Sequence, residues 1–282
     1  MTWQLPPIQG MAVRDGSHVK TISLLMTEEV ILPGETTTIW TNDLDVLERS
    51  LSKHFGVLAT GLSMKDDNTL MEMASLCQIK DCSDADSLLQ ENRDDDMTKE
   101  SNILLTLECV GRVKLQNIIQ DYPHLEFEFS LLEEDECCDD VLEKCQLVAQ
   151  NIETFIRILS HSKICEEEMV LDHDDSDLLA RYRKAFQSAL GILHQGDVDS
   201  KNEEMMRSLS ATSWAAFTAV KDRKLKEYRL RALDYESLFD RLKLAQYMLR
   251  EKELRLQGAS LKSSSRSYNE VNNVQKDVEG FQ

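Results

Sequence analysis

The side chains whose types and spacing could do chemistry fall into a few sets, and each set falls short of a working site. Cys77 with Cys82, the vicinal pair Cys137-Cys138, and the run Asp172-His173-Asp174-Asp175-Ser176-Asp177 are the candidates for a metal. None has paired C-x-x-C spacing and H-E-x-x-H is absent, so no tetrahedral zinc set is supplied. The acidic run lacks the glycine and terminal glutamate of an EF-hand and reads as a solvated cap before a helix starting near Leu178. No G-x-x-x-x-G-K-[ST] loop is present to cradle a phosphate, and no G-x-S-x-G elbow to present a nucleophile. Carboxylates are abundant but stand in runs of like charge, whereas a general acid needs a carboxyl in an apolar pocket. The sequence therefore names no catalytic, metal or cofactor-binding residue and predicts a protein that is not an enzyme and carries no cofactor.

The elements that could organise the chain are clearer. Thr21 to Met26 and Val30 to Leu32 are apolar and partly β-branched, Pro33-Gly34 supplies turn residues, and Thr36 to Trp40 resumes with β-formers. Asp43 is placed to cap a helix with Leu44, Leu47 and Leu51 at helical spacing, and Phe55 to Thr60 follows as a short buried strand. Leu70 to Ile79 has the mixed alternation of another strand. Asp81 to Asn102 is dense in Asp, Ser and Glu and reads as an acidic surface insertion, with Ser83, Ser87 and Ser101 as candidate phosphorylation sites. Ile103 to Cys109, Arg112 to Ile118 and Leu125 to Leu131 are strand-like, the last alternating so that Glu126 and Glu128 are expected on a wet face.

From Glu133 onward the period changes to that of helices. Val141, Cys145, Val148, Ile152, Phe155 and Leu159 form one stripe, and Leu179, Tyr182, Phe186, Leu190 and Leu193 a second that Gly196 should end. Trp214, Phe217 and Val220 mark a third. Tyr235, Leu242, Leu249 and Leu256, with Leu238 and Ala245 between, make a fourth at heptad spacing, where Lys252 frays the seam. Strands first and helices after predict an α+β fold.

The order of these elements resembles the N-terminal, substrate-binding domain of Lon proteases. The residues that carry the likeness are the strand ending in Leu32-Pro33-Gly34 before a helix leading to Val57-Leu58, and Leu104 to Ile119 with its Gly111-Arg112 step. Ser213-Trp214-Ala215-Ala216-Phe217 and the heptad helix are similar to the C-terminal part of stand-alone Lon-domain proteins. The resemblance implies a PUA-like, β-rich pseudobarrel lobe over 19–133 followed by a helical bundle or extension over 134–258, while composition and the lack of apolar periodicity mark 1–18 as a flexible lead-in, 81–102 as an insertion and 259–282 as a disordered tail. It implies that Pro33, Gly34, Gly111 and Arg112 set structural turns. It also implies capture of polypeptide clients for a separate protease or ligase. Two further readings stand beside it: a ubiquitin-ligase substrate receptor resembling cereblon, and a structural protein that self-associates through the heptad helix.

Charge and composition narrow the partners. The 282 residues carry a net charge of −19, which argues against nucleic acid as a partner, and the wet glutamates expected after Leu125 argue against an RNA-binding sheet. Lys221 to Lys262 holds 12 basic and 7 acidic residues, so this stretch is locally basic and is expected to dock on the acidic body. Seven irregularly spaced cysteines, no signal-peptide pattern and no long apolar run predict a soluble intracellular protein, with cytoplasm and plastid both open.

Overall fold

The computed structural model describes residues 21–62, 70–84, 103–132, 138–161, 178–193, 201–220, 222 and 225–257. The lead-in, the tail, most of the acidic insertion with Ser87 and Ser101, the Asp172 to Asp177 run, Gly196, Cys137 and Cys165 lie outside these residues. The elements are β1 (Thr21–Met26), β2 (Thr36–Thr41), α1 (Leu44–Lys53), β3 (Val57–Gly61), β4 (Met73–Asp84), β5 (Ile103–Gln120) and β6 (Glu126–Leu131). Then come α2 (Asp139–His161), α3 (Leu178–Leu193), α4 (Lys201–Ala219), α5 (Lys226–Asp234) and α6 (238–257). The fold is α+β, with a lobe of strands first and a bundle of helices after it.

Five strands close on themselves in the order β5-β4-β3-β1-β6, because β6 pairs with both β1 and β5. Only β1 and β3 run parallel. Closure removes sheet edges from that ring, and β2 is appended outside it, paired with β5 through Thr36↔Glu108 to Thr41↔Ile103.

Gly111-Arg112 does not turn one strand into the next. Leu104 to Ile119 is a single strand, and this step is where it exchanges neighbours: residues 103–108 pair with β2, and 113–120 with β6. The register against β4 passes from Leu76↔Gly111 to Cys77↔Cys109, leaving Val110 as the extra residue of a bulge. One extra residue reverses the alternation. Leu105, Leu107 and Cys109 accordingly pack in the layer under α1, whereas Val113 and Leu115, at the same parity, pack with Ile22, Leu24, Phe127 and Phe129.

Other expectations shift by a residue or two. Val30 to Leu32 is not a strand; Val30 and Leu32 join the helical core, while Ile31 packs in the layer under α1. Phe55 is 87% exposed at a positive φ, so the strand begins only at Val57. Asp43 caps α1 by accepting from the Val46 N–H at 3.1 Å, but the buried face is Val46, Leu47 and Ser50, with Leu44 and Leu51 exposed.

In the bundle α4 is central and buried along Leu209 to Phe217, as a helix enclosed by neighbours must be. The stripe on α3 is Leu178, Tyr182, Ala185 and Ala189 rather than the bulkier Leu179, Phe186, Leu190 and Leu193, which pack at its margin. Leu238, Leu242, Ala245 and Leu249 of α6 are buried within this same core, so the basic C-terminal stretch docks on its own body and its heptad seam is occupied there.

Candidate functional site

The lobe and the bundle meet around the turn after β1. Glu35 N–H donates to the Leu32 carbonyl at 2.8 Å, and the Glu35 carboxylate accepts from Leu32 N–H at 3.0 Å, closing the turn through Pro33-Gly34. Gly34 has φ +86°, the left-handed region that a glycine adopts without penalty. Its position also abuts the backbone of α3: a Cβ there would lie 2.6 Å from Ala189 Cα and 2.7 Å from Ala189 N. The small residues of α3, Ala185 and Ala189, are what let the turn come this close.

Basic side chains fasten the same junction. Arg112 is 4% exposed, and its Nη1 donates to the Leu233 and Tyr235 carbonyls at 3.0 and 2.7 Å, satisfying groups that the end of α5 leaves without helical donors. Its guanidinium carbon lies 5.2 Å from the Trp214 ring centroid, and that of buried Arg241 lies 4.1 Å from the same centroid, both within cation–π range. Arg241 donates in turn to Ser213 Oγ and Ser210 Oγ. Arg229 of α5 donates to the Val30 and Phe217 carbonyls at 2.9 and 3.2 Å and pairs with Glu35, while Lys226 donates to the Glu28 carbonyl. Arg112 is therefore a bridge from sheet to bundle rather than a turn residue.

Beside this junction opens a cleft of ≈ 740 Å³. Thr36 and Thr37 at the start of β2 form one wall, and Arg181, Lys184 and Ser188 of α3 form the facing one. Glu29 and Asp222 carry its negative charge, and Arg229 closes its floor with Glu35. The lining mixes these polar and charged residues with apolar ones in near-equal measure, among them Val30, Ala180, Ala185 and Val220.

No protein-family model matches the chain, and no curated protein does either. Among solved structures the chain is similar to the N-terminal domain of the Lon protease of Mycobacterium avium complex, with a TM-score of 0.49 and 11% identity over 82% of this chain and 98% of that one. It is also similar to a Lon N-terminal domain protein from Xanthomonas campestris, with a TM-score of 0.42 and 16% identity over 80% and 96%. The structural neighbours are Lon N-terminal domains. In this chain Gly34 and Arg112 sit at the joint between lobe and helices, Pro33 in the turn beside it, and Gly111 at the partner exchange of β5.

A second cluster in the lobe was illegible in the sequence. Glu126, expected on a wet face, is 3% exposed. Arg49 of α1 reaches its Oε2 at 2.8 Å, and His54 and His124 approach its two oxygens at 3.9 and 3.8 Å. Burial pushes the Glu126 carboxyl up, but hydrogen bonds from Thr21 and Arg49 and the charges of Arg49 and His54 outweigh it, so the net shift is below its ordinary 4.5. Burial lowers His54 below its ordinary 6.5, with Glu126 opposing and Arg49 and His124 adding to the fall. Both shifts act in one direction: each group binds more protons in the unfolded chain than in the folded one. Stability from His54 is present above pH 6.5 and lost as pH falls through its folded value; that from Glu126 is present above 4.5 and lost below. The melting temperature should therefore drop in acid in two stages, and His54→Gln should flatten the first and shrink the second, because the His54 charge is part of what holds Glu126 down. A variant curve parallel to that of the parent through both stages would remove His54 from the linkage.

Among the described residues no three His, Cys, Asp or Glu side chains converge as a metal site. Cys77 and Cys109 face each other across β4 and β5, fully buried, and burial holds the Cys109 thiol well above its ordinary range. Ser83 lies inside β4, paired with Leu104. No described helix is long and apolar enough to cross a membrane.

Proposed function

We propose that this chain is a non-catalytic protein-binding module that captures polypeptide clients and presents them to a separate degradative machine, a protease or a ligase. The observation that carries this reading is the cleft at the joint of lobe and bundle, an open trough of mixed apolar, polar and charged residues able to receive a stretch of another chain. The resemblance of its Leu32-Pro33-Gly34 segment to Lon substrate-recognition domains supports the same function. The absence of any phosphate loop from the sequence means that energy-dependent unfolding would come from the partner.

A binding module of this kind should slow the aggregation of a chemically denatured client without ATP, in proportion to its molar ratio to that client. Light scattering measures it, and failure across several unrelated clients would count against capture. Crosslinking purification of the intact chain from its own cells then reads the partner. Recovery of an ATP-dependent protease or a ligase scaffold together with mixed clients supports an adaptor for degradation, and recovery of copies of the chain alone points to a structural role.

A further inference from the structure

Five of the six strands are closed into a ring, and β2 is the strand left with one neighbour among the described residues. Which of its backbone groups are free follows from the pairing. Cys109 N–H donates to the Glu35 carbonyl at 2.9 Å, and the register continues from there through Thr36↔Glu108. Hydrogen-bonded and non-bonded pairs alternate in an antiparallel ladder, so Thr37, Ile39 and Thr41 bond to β5. The N–H and C=O groups of Thr36, Thr38 and Trp40 therefore point outward. Natural edges are usually guarded by charge, proline, bulges or a covering element. The β2 sequence, Thr-Thr-Thr-Ile-Trp-Thr, contains neither charge nor proline, and Trp40 is 56% exposed beside it.

The start of this edge opens into the cleft, whose lining sets Arg181, Lys184, Lys226 and Arg229 against Glu29, Glu35 and Asp222. Arg181 and Lys184 of α3 stand across from Thr36 and Thr37. Arg229 and Lys226 are held by Glu35 and by backbone carbonyls, whereas Lys184 is exposed with no carboxylate at ion-pair distance among the described residues. The cleft thus offers main-chain partners on one wall and an uncommitted positive charge on the other.

We infer that an extended segment of a separate polypeptide adds to the outer edge of β2 as a further strand, placing a carboxylate of that segment opposite Lys184. This rests on the polypeptide-binding reading above and gives it a mode: backbone hydrogen bonds supply sequence-tolerant affinity, and the charge across the cleft selects acidic segments.

The test uses the full chain and, as probe, reduced and carboxymethylated lactalbumin, a permanently unfolded acidic polypeptide. Binding is followed by fluorescence anisotropy and residue-resolved amide exchange by NMR. On binding, the amides of Thr36, Thr38 and Trp40 should slow by roughly tenfold or more, while those of Thr37, Ile39 and Thr41 stay as they were. Thr38→Pro removes an outward donor at a position where an edge strand tolerates proline, and should weaken binding about tenfold. Lys184→Glu should weaken it by roughly three- to tenfold, an effect that shrinks in salt. If the parent chain does not bind the probe, this inference falls, whereas the capture reading falls only if light scattering also shows no effect on several unrelated clients. If it binds with those three amides unchanged, the edge inference falls and the reading survives, and the exchange data decide this even if Thr38→Pro does not fold. Slowing that needs no probe and grows with protein concentration would mean β2 pairs with β2 of a second copy, which overturns the assignment to a separate polypeptide.

Discussion

Replacing Arg112 by methionine should lower the unfolding free energy by about 3 kcal/mol, because it strands the buried Leu233 carbonyl at roughly 1–3 kcal/mol, removes the part-buried bond to the Tyr235 carbonyl and gives up the contact with Trp214. Methionine keeps most of the side-chain volume, so the loss reads the hydrogen bonds more than a cavity. Arg112→Lys should recover less than half of it, because a lysine ammonium lacks the planar fork that spans both carbonyls and stacks less well on an indole. Urea denaturation followed by tryptophan fluorescence measures both. A cost below about 1 kcal/mol for the methionine variant would mean that water reaches these carbonyls and that the bridge is dispensable.

This bridge also shows where the sequence could and could not be read. The order of strands and helices is legible because period two and period 3.6 are local signals, and they place β1, β2, β6 and α2 nearly where they lie. Gly111-Arg112 looks like a turn for the equally local reason that glycine punctuates strands. Its actual role depends on β5 being long enough to serve two neighbours, a property of pairings far apart in the chain. The stripe on α3 is misplaced by the same limitation. Large apolar residues draw the eye to Leu179, Phe186 and Leu190, whereas the buried line runs through Ala185 and Ala189, chosen by the close approach of Gly34. Glu126 is harder still. Nothing near it in sequence indicates that Arg49 and His54, more than seventy positions earlier, will cover it, so alternation alone assigns it to solvent. The cleft combines both kinds of information: its β2 wall is legible as a strand, but its unpaired edge is apparent only once the other five strands have closed.

Gly34 and Gly111 provide the sharpest contrast between a motif glycine that the fold requires and one that it tolerates. Gly111 has open space around it, with the nearest atoms to an added Cβ being Leu76 side-chain carbons at 3.8 and 4.0 Å, so Gly111→Ala should change stability by no more than about 0.5 kcal/mol. Gly34→Ala meets two costs at once. The left-handed backbone costs roughly 1–2 kcal/mol for any residue with a Cβ, and displacing α3 adds about 1–3 kcal/mol of overpacking strain. The sum, about 2–5 kcal/mol, should appear in urea denaturation of the variant. Adding Ala189→Gly should not rescue it, because the two closest atoms to the new methyl are the backbone Cα and N of residue 189 rather than its side chain. Full rescue by that second change would locate the clash in the alanine methyl and return Gly34 to an ordinary turn position. Persistence of the loss, together with weaker binding of unfolded polypeptide by Gly34→Ala at temperatures where it remains folded, would tie the spacing between the Gly34 turn and α3 to the cleft that they jointly line.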